Sequence, residues 1–292
     1  MMKNSLAFVV SGMSIITALA MAACTEEESL PAEKTNQVIV NYVFPEKTAH
    51  QQMYKLPKER HTLEKLKKFF SPFLLRWPLY ILLTECDGEA DAFYGDDTIT
   101  ICYEYIEGLR KNMPVEATAT GIEPIDTVVG PFTDTVLHEF AHALFDYLDV
   151  PVLGREEDAA DQVAAYIYLQ LGKDEARRLI TGTVYAYWLE MQDTNSPSMA
   201  EFADEHSTPE QRVFNLLCMA YGADPELFED VVKVRGLPDK RAAICGEEYE
   251  LVALAYEALI APHIDPDLAE KNFDRSWLPE KTSRIMRKHK LK

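Results

Sequence analysis

The chain has 292 residues, of which 47% are hydrophobic and 26% are charged, a composition typical of a globular protein with a hydrophobic core. Its 29 Lys and Arg against 48 Asp and Glu give a formal net charge of −19. Such a surface repels polyanions, so nucleic acid is excluded as an expected partner. The one basic run, RIMRKHKLK at 284–292, is typical of a solvated tail.

The N-terminus has the pattern of an export signal. Lys3 precedes an apolar stretch that ends in small residues, which predicts a signal peptide over 1–23 rather than a membrane-spanning helix. The end, ALAMAAC, resembles a bacterial lipoprotein box, with Met21 where Leu is usual. This predicts that Cys24 carries a lipid anchor, and Thr25 favours outer-membrane sorting by the same resemblance. The alternative is plain cleavage and release into the periplasm or medium.

The remaining cysteines predict two disulfides. Cys86, Cys102, Cys218 and Cys245 form an even set in an exported chain. Three pairings are possible, and Cys86–Cys102 with Cys218–Cys245 is the simplest because each closes a modest loop. A cysteine metal site is disfavoured because no pair has C-x-x-C spacing.

After a polar lipid-anchored tether at 24–35, the first half of the chain has the pattern of a small sheet with helices. β-branched and buried-type runs predict strands, GDD predicts a hairpin turn, and apolar spacing predicts helices. The predicted elements are strands at 37–44 and 78–86, a helix at 62–75 ending near Pro72, a hairpin at 91–102, a helix at 103–112 and a loop at 113–130.

From Pro131 the pattern is almost entirely helical. Pro131 with Thr133 or Asp134 is a plausible helix start. No linker separates the two halves, so the sequence predicts one α+β domain over 36–292. The predicted helices lie near 131–148, 155–171, 173–191, 209–221, 224–234 and 247–261.

The stretch DTVLHEFAHALFDYLDV at 134–150 contains a His-Glu-x-x-His motif. His138 and His142 lie four residues apart and therefore on one face of a helix, where both imidazoles can bind one ion. Glu139 lies one step around, near enough to act as a general base. The rest of the helix is apolar, and three buried polar side chains are costly without a partner. A metal is one such partner, and core histidines with unrelated hydrogen bonds are the alternative.

The next predicted helix supplies a candidate third ligand. In GREEDAADQ, Glu157 and Asp161 lie four residues apart, so Glu157 can bind zinc while Asp161 accepts the free ring N–H of His138. Glu156 is the competing ligand. An acidic first turn that favours the helix dipole would also explain Glu156 and Glu157, but it does not explain Asp161.

HEFAH followed by ExxxD resembles the gluzincin zinc peptidases. The segments ECDGEADAFYGDDTITICYEY, HEFAHALFDYLDVPVLGREEDAADQ, DEHSTPEQRVFNLLCMAYG and LPDKRAAICGEEY together are similar to a bacterial domain-of-unknown-function family described as metallopeptidases. The resemblance implies a zincin-like fold, one Zn²⁺ and a peptide or protein substrate. It identifies no particular substrate.

The resemblance also implies roles outside the two helices. His206 would donate a hydrogen bond to the oxyanion, supported by Asp204. The alternative is that His206 and Asp204 are surface residues of a loop without a role in the site, and that Ser207 or Thr208 of this loop caps the following helix. Arg212 is a candidate partner for a carboxylate near the site. In gluzincin folds an edge strand pairs with extended substrate, and the sequence leaves open whether EADAFY or TITIC is that edge.

The sequence therefore predicts a zinc peptidase held at the cell envelope. His138, His142 and Glu157 would hold the ion, and Glu139 would take a proton from the attacking water and pass it to the leaving amine. The sequence leaves three alternative hypotheses. The protein could be a catalytically silent zinc-binding lipoprotein that holds a partner, a structural lipoprotein without metal, or a hydrolase of cell-wall peptide.

Overall fold

The computed structural model describes residues 37–193, 199–233 and 236–272, which all belong to one compact unit. The predicted signal peptide at 1–23, Cys24, the tether at 24–35 and the basic run at 284–292 lie outside the described residues. Within the described part of the chain, no helix is long and apolar enough to cross a membrane. The predicted α+β architecture is confirmed, with a mixed sheet followed by a helical half.

Four short strands form one sheet in the order β1-β2-β4-β3. Strand β2 pairs in parallel with both β1 and β4, whereas β3 runs antiparallel to β4 at the edge. The predicted hairpin is confirmed, and its turn residues Asp96 and Asp97 both have positive φ, as tight hairpin turns require. The strands are β1 (Val38–Tyr42), β2 (Leu79–Thr84), β3 (Ala92–Gly95) and β4 (Thr98–Cys102).

Three short helices accompany the sheet: α1 (Gln51–Glu59), α2 (Thr62–Phe70) and α3 (Tyr103–Lys111). Helix α1 was not predicted from the sequence because the segment is polar and contains Pro57. Only Met53 is fully buried in α1, so the apolar signal for this helix is weak. Helix α2 ends before Pro72, as predicted.

Helix α4 (Asp126–Tyr147) carries the His-Glu-x-x-His motif, and it begins earlier than predicted. The start at Pro131 was wrong, and the last residues of the predicted loop at 113–130 are helical. A proline inside a helix removes one backbone hydrogen bond and costs about 3 kcal/mol. Packing outweighs this cost, because most residues in the N-terminal half of α4, Pro131 among them, are buried.

Glycines allow α4 to approach α6 (Lys173–Asp193) closely. A Cβ at Gly130 would lie 2.5 Å from the carbonyl oxygen of Leu179, and one at Gly182 would lie 2.0 Å from that of Asp126. Neither position can therefore accept a side chain without separating the helices. The buried Asp126 carboxylate is bound by Arg178 through its Nε at 3.0 Å and Nη2 at 2.5 Å.

The remaining helices complete the second half. The predicted helix at 224–234 was wrong in extent, since only a single turn forms there within the described residues. The predicted helix at 247–261 begins eight residues earlier, at Asp239, directly after Pro238, which lies at the N-cap with an extended backbone. The helices are α5 (Glu156–Leu169), α7 (Pro209–Ala223), α8 (Asp230–Lys233), α9 (Asp239–Leu259) and α10 (Pro266–Asn272).

Two disulfides tie the domain. Cys86–Cys102 joins the loop after β2 to the end of β4, and Cys218–Cys245 joins α7 to α9. This is the simplest of the three pairings that the sequence allows, as predicted. Disulfides persist in oxidising compartments, so they indicate an extracytoplasmic protein.

Candidate metal centre

Helix α4 delivers both histidines of the motif to one point. His138 and His142 lie one turn apart, and their Nε2 atoms are 3.2 Å from each other. The His138 residue is only 4% exposed. Two imidazole nitrogens at this separation in a buried site need a proton or a cation between them, because both would otherwise present lone pairs.

Helix α5 adds a carboxylate to the two imidazoles. Glu157 Oε2 lies 2.9 Å from His138 Nε2 and 3.3 Å from His142 Nε2. The three donor atoms form a nearly equilateral triangle, which we call the metal cluster. Within the described residues, this is the one group of His, Cys, Asp and Glu side chains that converges in this way.

The triangle matches the size that zinc requires. Zinc bonds to imidazole nitrogen and carboxylate oxygen are about 2.0–2.2 Å long, so adjacent ligand atoms of a tetrahedral site lie about 3.3 Å apart. The three observed edges of 2.9, 3.2 and 3.3 Å need only small adjustments. Three protein donors also leave a fourth position open, which is the arrangement of catalytic rather than structural zinc sites.

A second layer of side chains orients His138. Its Nδ1 lies 2.7 Å from Asp161 Oδ1, one turn along α5 from Glu157. Arg212 in turn binds Asp161 with both arms of its guanidinium, through Nε at 2.8 Å and Nη2 at 2.7 Å. This chain holds the Nδ1–H of His138 on Asp161, so that Nε2 faces the cluster.

The start of α7 explains why Arg212 reaches Asp161. Thr208 caps the helix in a capping box with Gln211, and Pro209 occupies the first helical position. The cap fixes where the helix begins and so places Arg212 one turn in. Its guanidinium lies 4.8 Å from the centre of the Tyr187 ring, and the Tyr187 hydroxyl donates to Asp134 at 3.2 Å.

These hydrogen bonds shift the pKa values of His138, Glu157 and Asp161. Burial lowers the pKa of His138, but hydrogen bonds to Asp161 and Glu157 outweigh it and raise that pKa to about 10. Hydrogen bonding to His138 lowers the pKa of Glu157 to about 2, against the effect of burial. Burial raises the pKa of Asp161, but His138 and Arg212 bring it down to about 2. Both carboxylates are therefore ionised and favour a cation between them.

Glu139 faces a cleft beside the cluster. Burial raises its pKa, and the backbone N–H of Tyr94 in β3 interacts with its carboxylate and partly offsets the rise. A base with a raised pKa is better matched to proton transfer near neutral pH. The cleft has a volume of about 630 Å³ and is lined on one side by residues 91–94.

The edge strand of this cleft is therefore β3, which belongs to the EADAFY run. The TITIC run forms β4 and lies inside the sheet between β2 and β3. Among the described strands β3 pairs on one side only, with β4. Its position beside the cluster is suited to adding a peptide strand.

His206 lines the same cleft as β3. Its Nε2 is 2.8 Å from Glu157 Oε2, and its Nδ1 is 3.4 Å from Asp204 Oδ1. The side chain is 44% exposed. Thr208 caps α7, as the alternative interpretation predicted. The loop before it nevertheless brings His206 to the metal cluster, so capping by Thr208 does not exclude a role for His206 in the site.

Glu156 is not part of the metal cluster. It is 56% exposed, and its Oε1 lies 2.9 Å from His142 Nδ1. It therefore orients the second histidine much as Asp161 orients the first. From the sequence, Glu156 was expected to be either a competing ligand or part of an acidic first turn, so its supporting position was not predicted, although its place beside the ligand in the first turn of α5 was visible.

Other neighbours of the site carry no pattern in the sequence. Tyr187 on α6 and Asp134 on α4 reach Arg212 only through the packing of three helices. Burial and the charge of Asp161 raise the pKa of Asp134 to about 6. Arg155 lines the cleft as well, and its position before α5 gave no signal.

The sequence profile of a family described as "Putative metallopeptidase" matches residues 42–260. The chain belongs to this family. The match spans strands β2 to β4, the His-Glu-x-x-His helix, α5 and all of α9, so it covers every element that builds the metal cluster. No curated protein and no solved structure matches the chain significantly.

Proposed function

We propose that the protein is a zinc-dependent peptidase in which His138, His142 and Glu157 bind the ion. The observation that carries this proposal is the triangle of donor atoms with edges of 2.9, 3.2 and 3.3 Å in a member of a metallopeptidase family. A bound zinc ion would supply Lewis-acid activation of water and of the peptide carbonyl.

Glu139 is the proposed general base. Its carboxylate lies beside the cluster without belonging to it, and its raised pKa makes it a stronger proton acceptor than an exposed glutamate. It would take the proton of the attacking water and deliver it to the amine that leaves. The residue is only 8% exposed, which limits the access of bulk water to its carboxylate.

The walls of the cleft would bind and orient the peptide. Strand β3 offers backbone N–H and C=O groups to an extended chain, and His206 lines the same cleft within 2.8 Å of the Glu157 carboxylate. A protonated His206 would donate a hydrogen bond to the negative charge that develops on the carbonyl oxygen, and Asp204 would hold that imidazole in place.

The protein would act at the cell envelope. The two disulfides indicate an extracytoplasmic location, and we propose a lipid anchor at Cys24 with outer-membrane sorting. Labelling of the full-length chain with radioactive palmitate should mark the wild type and not Cys24→Ser. Equal labelling of both would remove the anchor from the proposal.

The direct test of the activity is cleavage of a broad peptide library by residues 25–292. The wild type should cleave after zinc loading, and Glu139→Gln should keep its zinc yet lose about 10²–10⁴-fold in rate. Cleavage by Glu139→Gln at the wild-type rate would refute its role as base. A wild type that binds zinc stoichiometrically and cleaves nothing would favour a silent zinc-binding lipoprotein instead.

A further inference from the structure

A second concave surface lies on α4, away from the metal cluster. It is a groove of about 580 Å³ between α1, α2, α3 and the first two turns of α4. It shares no lining residue with the cleft that holds the metal cluster. Phe132 in its floor precedes His138 by six residues, or about 9 Å along the helix.

The floor of the groove is apolar. Met53, Leu56, Ile106, Val128, Val129 and Phe132 line it. Helix α4 is otherwise nearly fully buried, yet Val128, Val129 and Phe132 are only half-buried on this face. The volume lies within the range of about 300–1,000 Å³ that is typical of small-molecule sites.

The rim of the groove is basic. Arg60, Lys65 and Arg110 line it, and none of the described lining residues is acidic. None of the three cations takes part in an ion pair with any other residue that the structure describes. Of the acids next to the floor in sequence, Asp126 is buried and bound to Arg178, and Glu107, beside Ile106, faces His50 at 3.6 Å. In a chain of net charge −19, three cations with no ion-pair partner among the described residues surround an apolar groove, which makes it complementary to an anionic head on an apolar tail.

We propose that this groove binds a free long-chain carboxylate, with its acyl chain on the apolar floor and its carboxylate held by Arg60, Lys65 and Arg110. Arginine matches a carboxylate because its planar guanidinium donates two parallel hydrogen bonds. The overall negative charge opposes docking on an anionic bilayer. A single small anion within the rim escapes most of that repulsion, because distant charges are screened beyond about 8 Å.

The experiment is calorimetric titration of residues 25–292 with dodecanoate, decanoate and octanoate below their micellar concentrations. One carboxylate should bind per chain. Affinity should rise up to about fourfold per added methylene, since burial of each contributes roughly 0.8 kcal/mol. Dodecyltrimethylammonium, with the same tail and a cationic head, should bind at least tenfold more weakly.

Charge reversal tests the rim. Arg110→Glu should weaken dodecanoate binding about tenfold or more, while the matched control Lys240→Glu on the exposed start of α9 should leave it unchanged. If Arg110→Glu fails to fold, Arg60→Glu and Lys65→Glu replace it, because both side chains are exposed. Zinc content should be the same in all of these variants, which separates this site from the metal cluster.

Several results would overturn the proposal. Among them are no saturable binding of dodecanoate, equal binding of the cationic amphiphile, and affinity that is insensitive to every rim substitution. If the protein sediments with phosphatidylglycerol vesicles but does not bind free dodecanoate, the basic rim would be assigned to contact with a membrane surface. If the protein is a dimer that Arg110→Glu dissociates, and it binds no carboxylate, the groove would be an interface with a second copy of the chain.

Discussion

Two buried histidines in this protein each contact two carboxylates, and only one of them lies in a metal cluster. His138 faces Glu157 and Asp161, whereas His50 faces Glu85 at 2.8 Å through Nδ1 and Glu107 at 3.6 Å through Nε2. We call His50 with these two acids the His50 cluster. Both histidines are less than 5% exposed, so burial does not distinguish them.

The two clusters differ in where their donor atoms point. In the metal cluster, one nitrogen of each histidine and one oxygen of Glu157 converge on a point beside a cleft. In the His50 cluster the acids sit on opposite sides of one ring, and Glu85 also accepts the backbone N–H groups of Glu46 and Lys47. A metal site needs convergent lone pairs, while the divergent arrangement holds a loop against the end of β2.

The largest effect should come from the third ligand. Glu157→Gln should lower zinc affinity by more than about a hundredfold, because it removes a charged donor from the triangle. Glu156→Gln, one residue away, should lower it about tenfold or less, since Glu156 only orients His142. Zinc dissociation constants from competition with a chromogenic chelator would check this. The reverse order would make Glu156 the ligand.

An acid-to-amide substitution in each cluster should distinguish a carboxylate that orients a metal ligand from one that only supports a loop. Asp161→Asn should weaken zinc binding about 10–100-fold, because the charge that holds the ring of His138 is lost. Glu85→Gln should leave zinc affinity unchanged, because Glu85 supports only a loop. A circular dichroism melt would confirm that both variants are folded. An effect of Glu85→Gln on zinc comparable to that of Asp161→Asn would erase the distinction.

The disulfide beside the His50 cluster should matter for stability alone. Replacing Cys86 and Cys102 by serine opens a loop of 16 residues and should lower the free energy of unfolding by about 3 kcal/mol. Urea unfolding monitored by tryptophan fluorescence would measure this. Zinc affinity per folded molecule should not change, and a loss of zinc in the folded variant would tie this loop to the site.

The smallest effect concerns Glu104, which supports the same loop. Its carboxylate accepts hydrogen bonds from the backbone N–H groups of Cys86 and Gly88 and forms an ion pair with Lys47, each at 3.1 Å. Burial raises its pKa, but these donors outweigh burial and lower it from 4.5 to about 2. Glu104→Gln should cost about 1–3 kcal/mol at pH 7.

The pH dependence of that cost has a defined sign. Because the folded-state pKa is lowered, the contribution of the charged form is complete above pH 4.5 and is lost as the pH falls towards 2. The difference in unfolding free energy between the wild type and Glu104→Gln should therefore shrink over that window. A constant difference from pH 7 to pH 2 would contradict the depressed pKa.

The sequence predicted the elements whose signal is local. The spacing of His138 and His142, the ExxxD pair on α5, the GDD hairpin and the capped start of α7 are each determined within one or two turns of chain. Features that depend on packing between helices escaped prediction. Helix α4 runs through Pro131 because Gly130 and Gly182 let α6 approach, and Tyr187 meets Arg212 only once α6 and α7 pack together.

Zinc analysis of the purified chain tests the central claim most directly. Residues 25–292 should bind one zinc per chain, His50→Ala should bind the same amount, and His142→Ala should bind none when folded. Stoichiometric zinc in His142→Ala, or loss of zinc in His50→Ala alone, would contradict the assignment of the metal cluster.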